Sequence, residues 1–304
     1  MTARSPRRAV VTALLGNYEH LVEQPVAAGS AVDFICFTDD PELSSTAWQV
    51  RLIEPALPGD LIRSARILKL RGHDCLDEYD ETLWIDNSVL LRQDPAVLLD
   101  QWLQDADIAI PAHSFRGTVA AEFDAVSRSK LDEQPRIDEQ LAVYAALSPA
   151  VLDREALWTA IIARRRGLAT ERLMRVWLDH VLRYSRRDQL SVGMAIATSG
   201  VRVSVIELDN RESPWHEWPV SLGRAPRGEG DPTTVRADAI EARLARLHAD
   251  IDELTLQYTR AVVARETVIS AMSASRSWRA TRALRATTSA VRALLRRGRP
   301  SAGS

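Results

Sequence analysis

From residue 9 to residue 208 the chain alternates short runs of β-branched and aromatic residues with longer stretches whose apolar positions recur every three or four residues. A period of two followed by a period of 3.6, repeated along the chain, constrains the fold to an α/β domain built on a largely parallel sheet. The strand candidates are Ala9–Leu15, Val32–Thr38, Trp48–Ile53, Thr82–Asp86, Ile108–Pro111 and Val201–Leu208. Between them, Leu61–Leu76, Pro95–Gln104, Phe115–Ser129, Ile137–Leu147 and Thr170–Arg183 carry the helical period. With 304 residues, 46% of them hydrophobic, the chain can bury a full core.

Several classes of protein are excluded by composition. No apolar run approaches the ~18 residues of a membrane span. The start, MTARSPRRAVVTALLGNYEH, is basic like a leader, but its apolar stretch ends at Leu15 without a small-residue cleavage site, so a cytoplasmic protein is expected. Cys36 and Cys75 are too few for a disulfide framework or a four-ligand zinc site and are read as reduced core residues. From Arg276 to Ser304 there are eight arginines and no acid, against a net charge of −2 for the whole chain, so an acidic body carries a basic tail. An acidic body argues against a nucleic-acid partner.

The carboxyl-terminal third divides into three segments. Residues 221–235 hold Gly223, Pro226, Gly228, Gly230 and Pro232 with no apolar period, which marks a linker after a domain spanning 1–220. In 236–272, Ile240, Leu244, Leu247, Ile251, Leu254, Tyr258, Ala261, Arg265, Val268 and Met272 follow at alternating steps of four and three. This heptad predicts a coiled coil roughly 50 Å long and a homo-oligomer, the alternative being a helix folded back on the body. Residues 273–304 place Trp278, Leu284, Val291 and Leu295 on one side of an arginine-rich helix, a pattern suited to an anionic membrane surface. The expected location is therefore the cytoplasm, peripheral on the inner face of the cell membrane.

Candidate chemistry gathers at the ends of the predicted strands, where open α/β sheets bind their ligands. LWIDNS ends a strand in Asp86-Asn87-Ser88; Asp86 can hold a divalent cation on a diphosphate, or the triplet is turn chemistry. Gly16 opens a turn where a ligand can approach the backbone, and Tyr18 beside it either stacks on a base or packs. Asp39 and Asp40 can accept bonds from a base or ribose, or cap a turn. Arg63, Arg66 and Lys69 share a helix face that meets phosphates or solvent. Arg187 can pair with a phosphate or with Asp188, and Asp188 and Gln189 have the donors and acceptors to hold a sugar hydroxyl. His216, between Trp215 and Trp218, is either a metal ligand or structural.

In this order, GNY, DFICFTDDPEL, a Trp-bearing strand, SARILKLRGH, LWIDNSVLL, PAHSFRGTVAAE and SRRDQLS resemble the glycosyltransferase-like family that bacteria share with the plant TOD/MUCI-type proteins. The resemblance covers about Ala9 to Val220. It implies a nucleotide-sugar-binding fold of the GT-A type and a sugar transferred from a nucleotide-diphosphate sugar to a glycan or lipid-linked acceptor. It also implies a divalent metal, Mn2+ or Mg2+, at Asp86; the chain departs from the pattern in having Ser88 where many such enzymes have a second aspartate, so the metal either rests on Asp86 with His216 or is weakly bound. Asp39 and Asp40 would lie near the base or ribose, and Asp188 and Gln189 by the donor sugar or acceptor. The segment Ala156–Gly167 lacks the glycine-rich loop expected before RRDQ. The SRSWR stretch also resembles the ends of bacterial enzymes that work on membrane-linked glycans.

In such an enzyme the metal would act as a Lewis acid on the leaving diphosphate, with Arg66 or Lys69 as further positive charge. Asp188 or Glu122 would deprotonate the acceptor if the anomeric centre inverts. Two other readings share the same residues: a metal-dependent hydrolase, and a non-catalytic nucleotide-sugar-binding scaffold at the membrane.

Overall fold

A computed structural model describes residues 5–17, 19–220 and a few positions between 265 and 281. The chain divides into two compact units, Met1–Thr233 and Thr234–Ser304. Apart from those few positions the heptad and the basic tail lie outside the described residues, as does Tyr18.

The first unit is a seven-stranded sheet flanked by helices. In chain order the strands are β1 (Arg8–Leu14), β2 (Asp33–Thr38), β3 (Gln49–Leu52), β4 (Glu81–Ile85), β5 (Leu90–Leu91), β6 (Ile108–Pro111), β7 (Ile161–Arg165), β8 (Val203–Ile206) and β9 (His216–Glu217). The main sheet runs β3-β2-β1-β4-β7-β6-β8, and β5 pairs with β9 apart from it. All neighbours in the main sheet are parallel except β7, which is antiparallel to both β4 and β6. The order reverses between β1 and β4, the topological position where such sheets open a crevice at the carboxyl ends of their strands.

The central strands read as unbroken apolar runs because both faces are covered. Alternate residues serve opposite layers. Val11, Trp84 and Ile162 pack with Ile67, Leu70, Leu173 and Trp177 of α1 (Leu61–Leu70) and α5 (Leu168–Arg183). Val10, Leu83, Ile85 and Ile161 pack with Leu98, Leu99 and Trp102 of α2 (Pro95–Trp102). A third cluster, with Phe123, Tyr144, Leu190 and Met194, joins α3 (Val119–Arg128), α4 (Gln134–Leu147) and α6 (Gln189–Ser199). Helix starts follow their caps: Asp60 accepts from Arg63 N, Asp94 precedes Pro95 and accepts from Ala96 N, and Thr118 accepts from Ala121 N.

The six expected strands are present, and β5, β7 and β9 are additions, β7 being the one in the main sheet. Its sequence, IIARR, ends in charge and has the look of a loop, yet both arginines are used. Arg164 reaches one face, donating to the carbonyls of Lys69 (2.9 Å) and Leu70 (3.1 Å) at the end of α1. Arg165 reaches the other, donating to Glu81 at 3.0 Å. The helix expected to reach Leu76 stops at Leu70, because Gly72 turns to φ +82° before a short 3-10 turn over Asp74–Leu76. Cys36 is buried and Cys75 half-buried, both as free thiols. Among the described residues no helix is long and apolar enough to cross a membrane.

Candidate functional site at the carboxyl edge of the sheet

Only one residue of the Asp-Asn-Ser triplet after β4 faces the crevice. Asn87 is buried and pins the chain at residues 20–22, accepting from Val22 N (2.9 Å) and donating to the His20 carbonyl (2.8 Å). Ser88 Oγ accepts from Trp218 Nε1 at 3.1 Å. Asp86, whose side chain is 31% exposed, presents Oδ1 to Lys69 Nζ (3.1 Å), Trp84 Nε1 (2.8 Å) and, at 4.0 Å, Arg66.

A second carboxylate meets the same cations from the loop between α5 and α6. Asp188 occupies the first position before α6 without capping it, because both its oxygens turn inward. Oδ1 lies 3.2 Å from Arg66 Nε; Oδ2 takes Lys69 Nζ at 2.7 Å and Thr159 Oγ1 at 3.0 Å. Thr159 stands just before β7, and only the antiparallel entry of that strand brings it to this edge. Lys69 is 0% exposed and Asp188 2% exposed. Burial opposes ionisation of Asp188, yet Arg66, Lys69 and Arg187 together hold its carboxyl far below the usual carboxylate range.

Arg187 completes a group of three cations. Its Nη2 is 3.5 Å from Gln189 Oε1, and its buried Nε has no hydrogen-bond partner among the described residues. Burial and the charge of Arg66 lower its pKa, while Asp188, Glu122 and Asp86 oppose that shift. Arg63, although on the same helix, is not part of the group. It pairs with Asp60 at 2.6 Å and donates to the carbonyls of Val181 and Tyr184, tying α1 to the end of α5.

Beside these cations stands Glu122, buried on α3. Its Oε2 is 3.5 Å from Arg116 Nε and 3.8 Å from His113 Nε2. Burial raises its pKa above the ordinary carboxylate value, partly offset by Arg187 and Arg116. His113 is driven the other way, to about 4, by burial and by Arg116, so it is neutral at physiological pH. A buried carboxylate with a raised pKa can take a proton; Asp188, salt-bridged and strongly acidic, cannot do so usefully. The expectation that Asp188 serves as a base is corrected on that ground.

Across the crevice, Gly16 has φ +82°, a conformation that strains any other residue, and a Cβ there would lie 2.6 Å from Leu61 Cδ1 and have to displace it. Its N–H donates to Asp39 Oδ1 at 2.8 Å. Asp40 Oδ1 accepts from Glu42 N at 2.9 Å, closing the next turn. Each of these aspartates spends an oxygen on the backbone and remains half-buried at the edge.

The donor set does not fit a divalent cation. His216, fully buried, has Nδ1 2.8 Å from Ser213 Oγ and Nε2 2.9 Å from the Asn210 carbonyl, so neither ring nitrogen is left to coordinate; its expected metal role is corrected. Ser88 is held by Trp218, and Asp86 Oδ1 is already shared among an indole and two side-chain cations. Among the described residues no three His, Cys, Asp or Glu side chains form a metal-binding group.

A family model, the TOD1/MUCI70 glycosyltransferase-like domain, matches residues 10–205. The probable hexosyltransferase MUCI70 of Arabidopsis thaliana is 26% identical over 153 residues, covering 47% of this chain and 26% of that protein. The chain thus matches about a quarter of that relative's length. Mouse xyloside xylosyltransferase 1, in its apo form, superposes with a TM-score of 0.37 at 11% identity, covering 66% of this chain and 84% of the other. Since the family match runs from β1 through β8 and takes in the whole carboxyl edge apart from its outermost loops, the chain belongs to the TOD1/MUCI70 glycosyltransferase-like domain family.

Proposed function

We propose that the chain transfers a sugar from a nucleoside-diphosphate sugar to a hydroxyl of a glycan or lipid-linked acceptor. The observation that supports this most is the meeting, at one sheet edge, of three buried or half-buried cations with a carboxyl whose pKa is raised. In the reaction the bond between the anomeric carbon and the β-phosphate oxygen breaks, and one forms from the acceptor oxygen to that carbon. Arg66, Lys69 and Arg187 stabilise the charge gathering on the departing diphosphate. Glu122 accepts the acceptor's proton. The turn of Gly16 and Asp39 supplies the wall for the base or ribose, and Gln189 a hydrogen-bonding group for the sugar.

Release of nucleoside diphosphate from a panel of uridine- and guanosine-diphosphate sugars, with and without glycan acceptors, tests this reading. Release that requires acceptor and falls in Glu122→Gln supports it. Equal release without acceptor favours hydrolysis, and no release from any donor contradicts catalysis altogether.

Two proposals concern the carboxyl-terminal third: that 236–272 joins copies of the chain, and that 273–304 lies on an anionic membrane on the cytoplasmic side. Loss of oligomer mass by light scattering after deleting 236–272, and loss of sedimentation with anionic vesicles after deleting 273–304, are the expected results. Unchanged mass or unchanged sedimentation would overturn the respective proposal.

A further inference from the structure

With Glu122 set against Arg116 at 3.5 Å, two carboxylates and three cations remain in the crevice, and their balance decides what it can take up. Asp188 is saturated, with both oxygens bound by Lys69, Arg66 and Thr159. Asp86 is partly so, with Oδ1 bound by Trp84 and Lys69. Arg66 Nε and Arg116 Nε lie 3.2 Å from Asp188 and 3.5 Å from Glu122, whereas Arg187 Nε is buried without a hydrogen-bond partner among the described residues, its charge surrounded by Arg66, Asp188, Glu122 and Asp86. A buried guanidinium donor without an acceptor costs stability unless a ligand supplies one. A divalent cation would add charge where positive charge already exceeds negative. A diphosphate would remove the excess and offer oxygens to Arg187.

We infer that these side-chain cations do the work of a metal: the crevice binds the diphosphate of the donor through Arg187, supported by Arg66 and Lys69, without any divalent ion. In this arrangement Asp86 and Asp188 are positioning residues that hold Lys69 and Arg66 rather than ligands of a metal. The inference rests on the glycosyl-transfer reading and specifies how its donor is held.

Calorimetric titration of the full chain with uridine diphosphate, guanosine diphosphate and inorganic pyrophosphate, in excess chelator and again in excess manganese, tests it. At least one nucleotide should bind, with the same affinity in both buffers and in competition with pyrophosphate. Arg187→Met should weaken binding about ten- to hundredfold, the loss expected for a charge-assisted hydrogen bond, while Arg187→Lys recovers part of it. Asp86→Asn keeps an oxygen for Lys69 and Trp84 and removes a negative charge from beside the diphosphate, so affinity should rise, whereas a metal ligand so changed would lose binding. Unfolding midpoints of the variants confirm that each is folded. Binding seen only with manganese, or abolished in Asp86→Asn, overturns the inference and leaves glycosyl transfer standing. Absence of binding by any of the three probes in either buffer overturns both.

Discussion

Strand β4 carries a buried acidic cluster at each end, and the two are built differently. At its amino end Glu81 accepts from Arg8 Nε at 2.9 Å and from Arg165 Nε at 3.0 Å. The remaining donors of those arginines go to Asp100 and to the carbonyls of Ala96, Leu103 and Ala106. Every group there has a protein partner, and the cluster pins β1, β4 and β7 together. At the carboxyl end, Asp86 and Asp188 face Arg66, Lys69 and Arg187, and an Arg187 donor is left over. The same chemistry is structural where the charges match and receptive where they do not.

The largest effect expected at the carboxyl end is catalytic. Glu122→Gln should lower kcat by about 10²–10⁴-fold with little change in nucleotide affinity. A KM that rises while kcat stays constant would give Glu122 a binding role instead.

Removal of Asp188 comes next, since it leaves Lys69 fully buried with Asp86 as its remaining carboxylate. Asp188→Asn should cost about 3–5 kcal/mol in urea unfolding. A loss below about 1 kcal/mol would mean that Lys69 is solvated in a way its burial does not suggest.

The sharpest test of the contrast pairs one arginine from each end. Arg165→Met should destabilise by about 2 kcal/mol, because Glu81 loses a partner. Arg187→Met should be neutral or stabilising, because it removes a buried donor that lacks an acceptor, as sites kept for ligands often do. Equal losses at both ends would break the comparison.

The smallest effect is on pH. His113 titrates at about 4 in the fold and near 6.5 when unfolded. Between those values the unfolded chain binds a proton that the folded chain does not, so stability declines as pH falls through that window. Asp188, with its depressed pKa, adds stability above the ordinary carboxylate range that is lost only below it. Chemical unfolding at stepped pH should therefore show weakening that begins near 6.5, and His113→Gln should remove part of it. Glu122 must be ionised to act, so activity should fall on acidification with a midpoint above the ordinary carboxylate value.

Much of this architecture is legible in the sequence, because buried parallel strands and amphipathic helices have distinct periods. Strand β7 is not, since its arginines serve partners, the end of α1 and Glu81, that become neighbours only when the sheet is assembled. Thr159 stays hidden for the same reason. The triplet Asp86-Asn87-Ser88 is visible at a strand end, but only tertiary contacts assign Asn87 to residues 20–22 and Ser88 to Trp218. His216 looks like a ligand beside two tryptophans; burial with both nitrogens bonded makes it a core residue. Arg63, Arg66 and Lys69 step by three along α1, each about 60° around the helix from the last, so Lys69 lies about 120° from Arg63, a divergence that their equal spacing conceals.

The most direct test is a crystal structure of the chain with a nucleoside diphosphate. Phosphate oxygens within hydrogen-bond distance of Arg187 and of Arg66 or Lys69, with the nucleoside toward Gly16 and Asp39, are expected. A diphosphate bound away from those three cations would contradict the assignment of the carboxyl edge as the donor site.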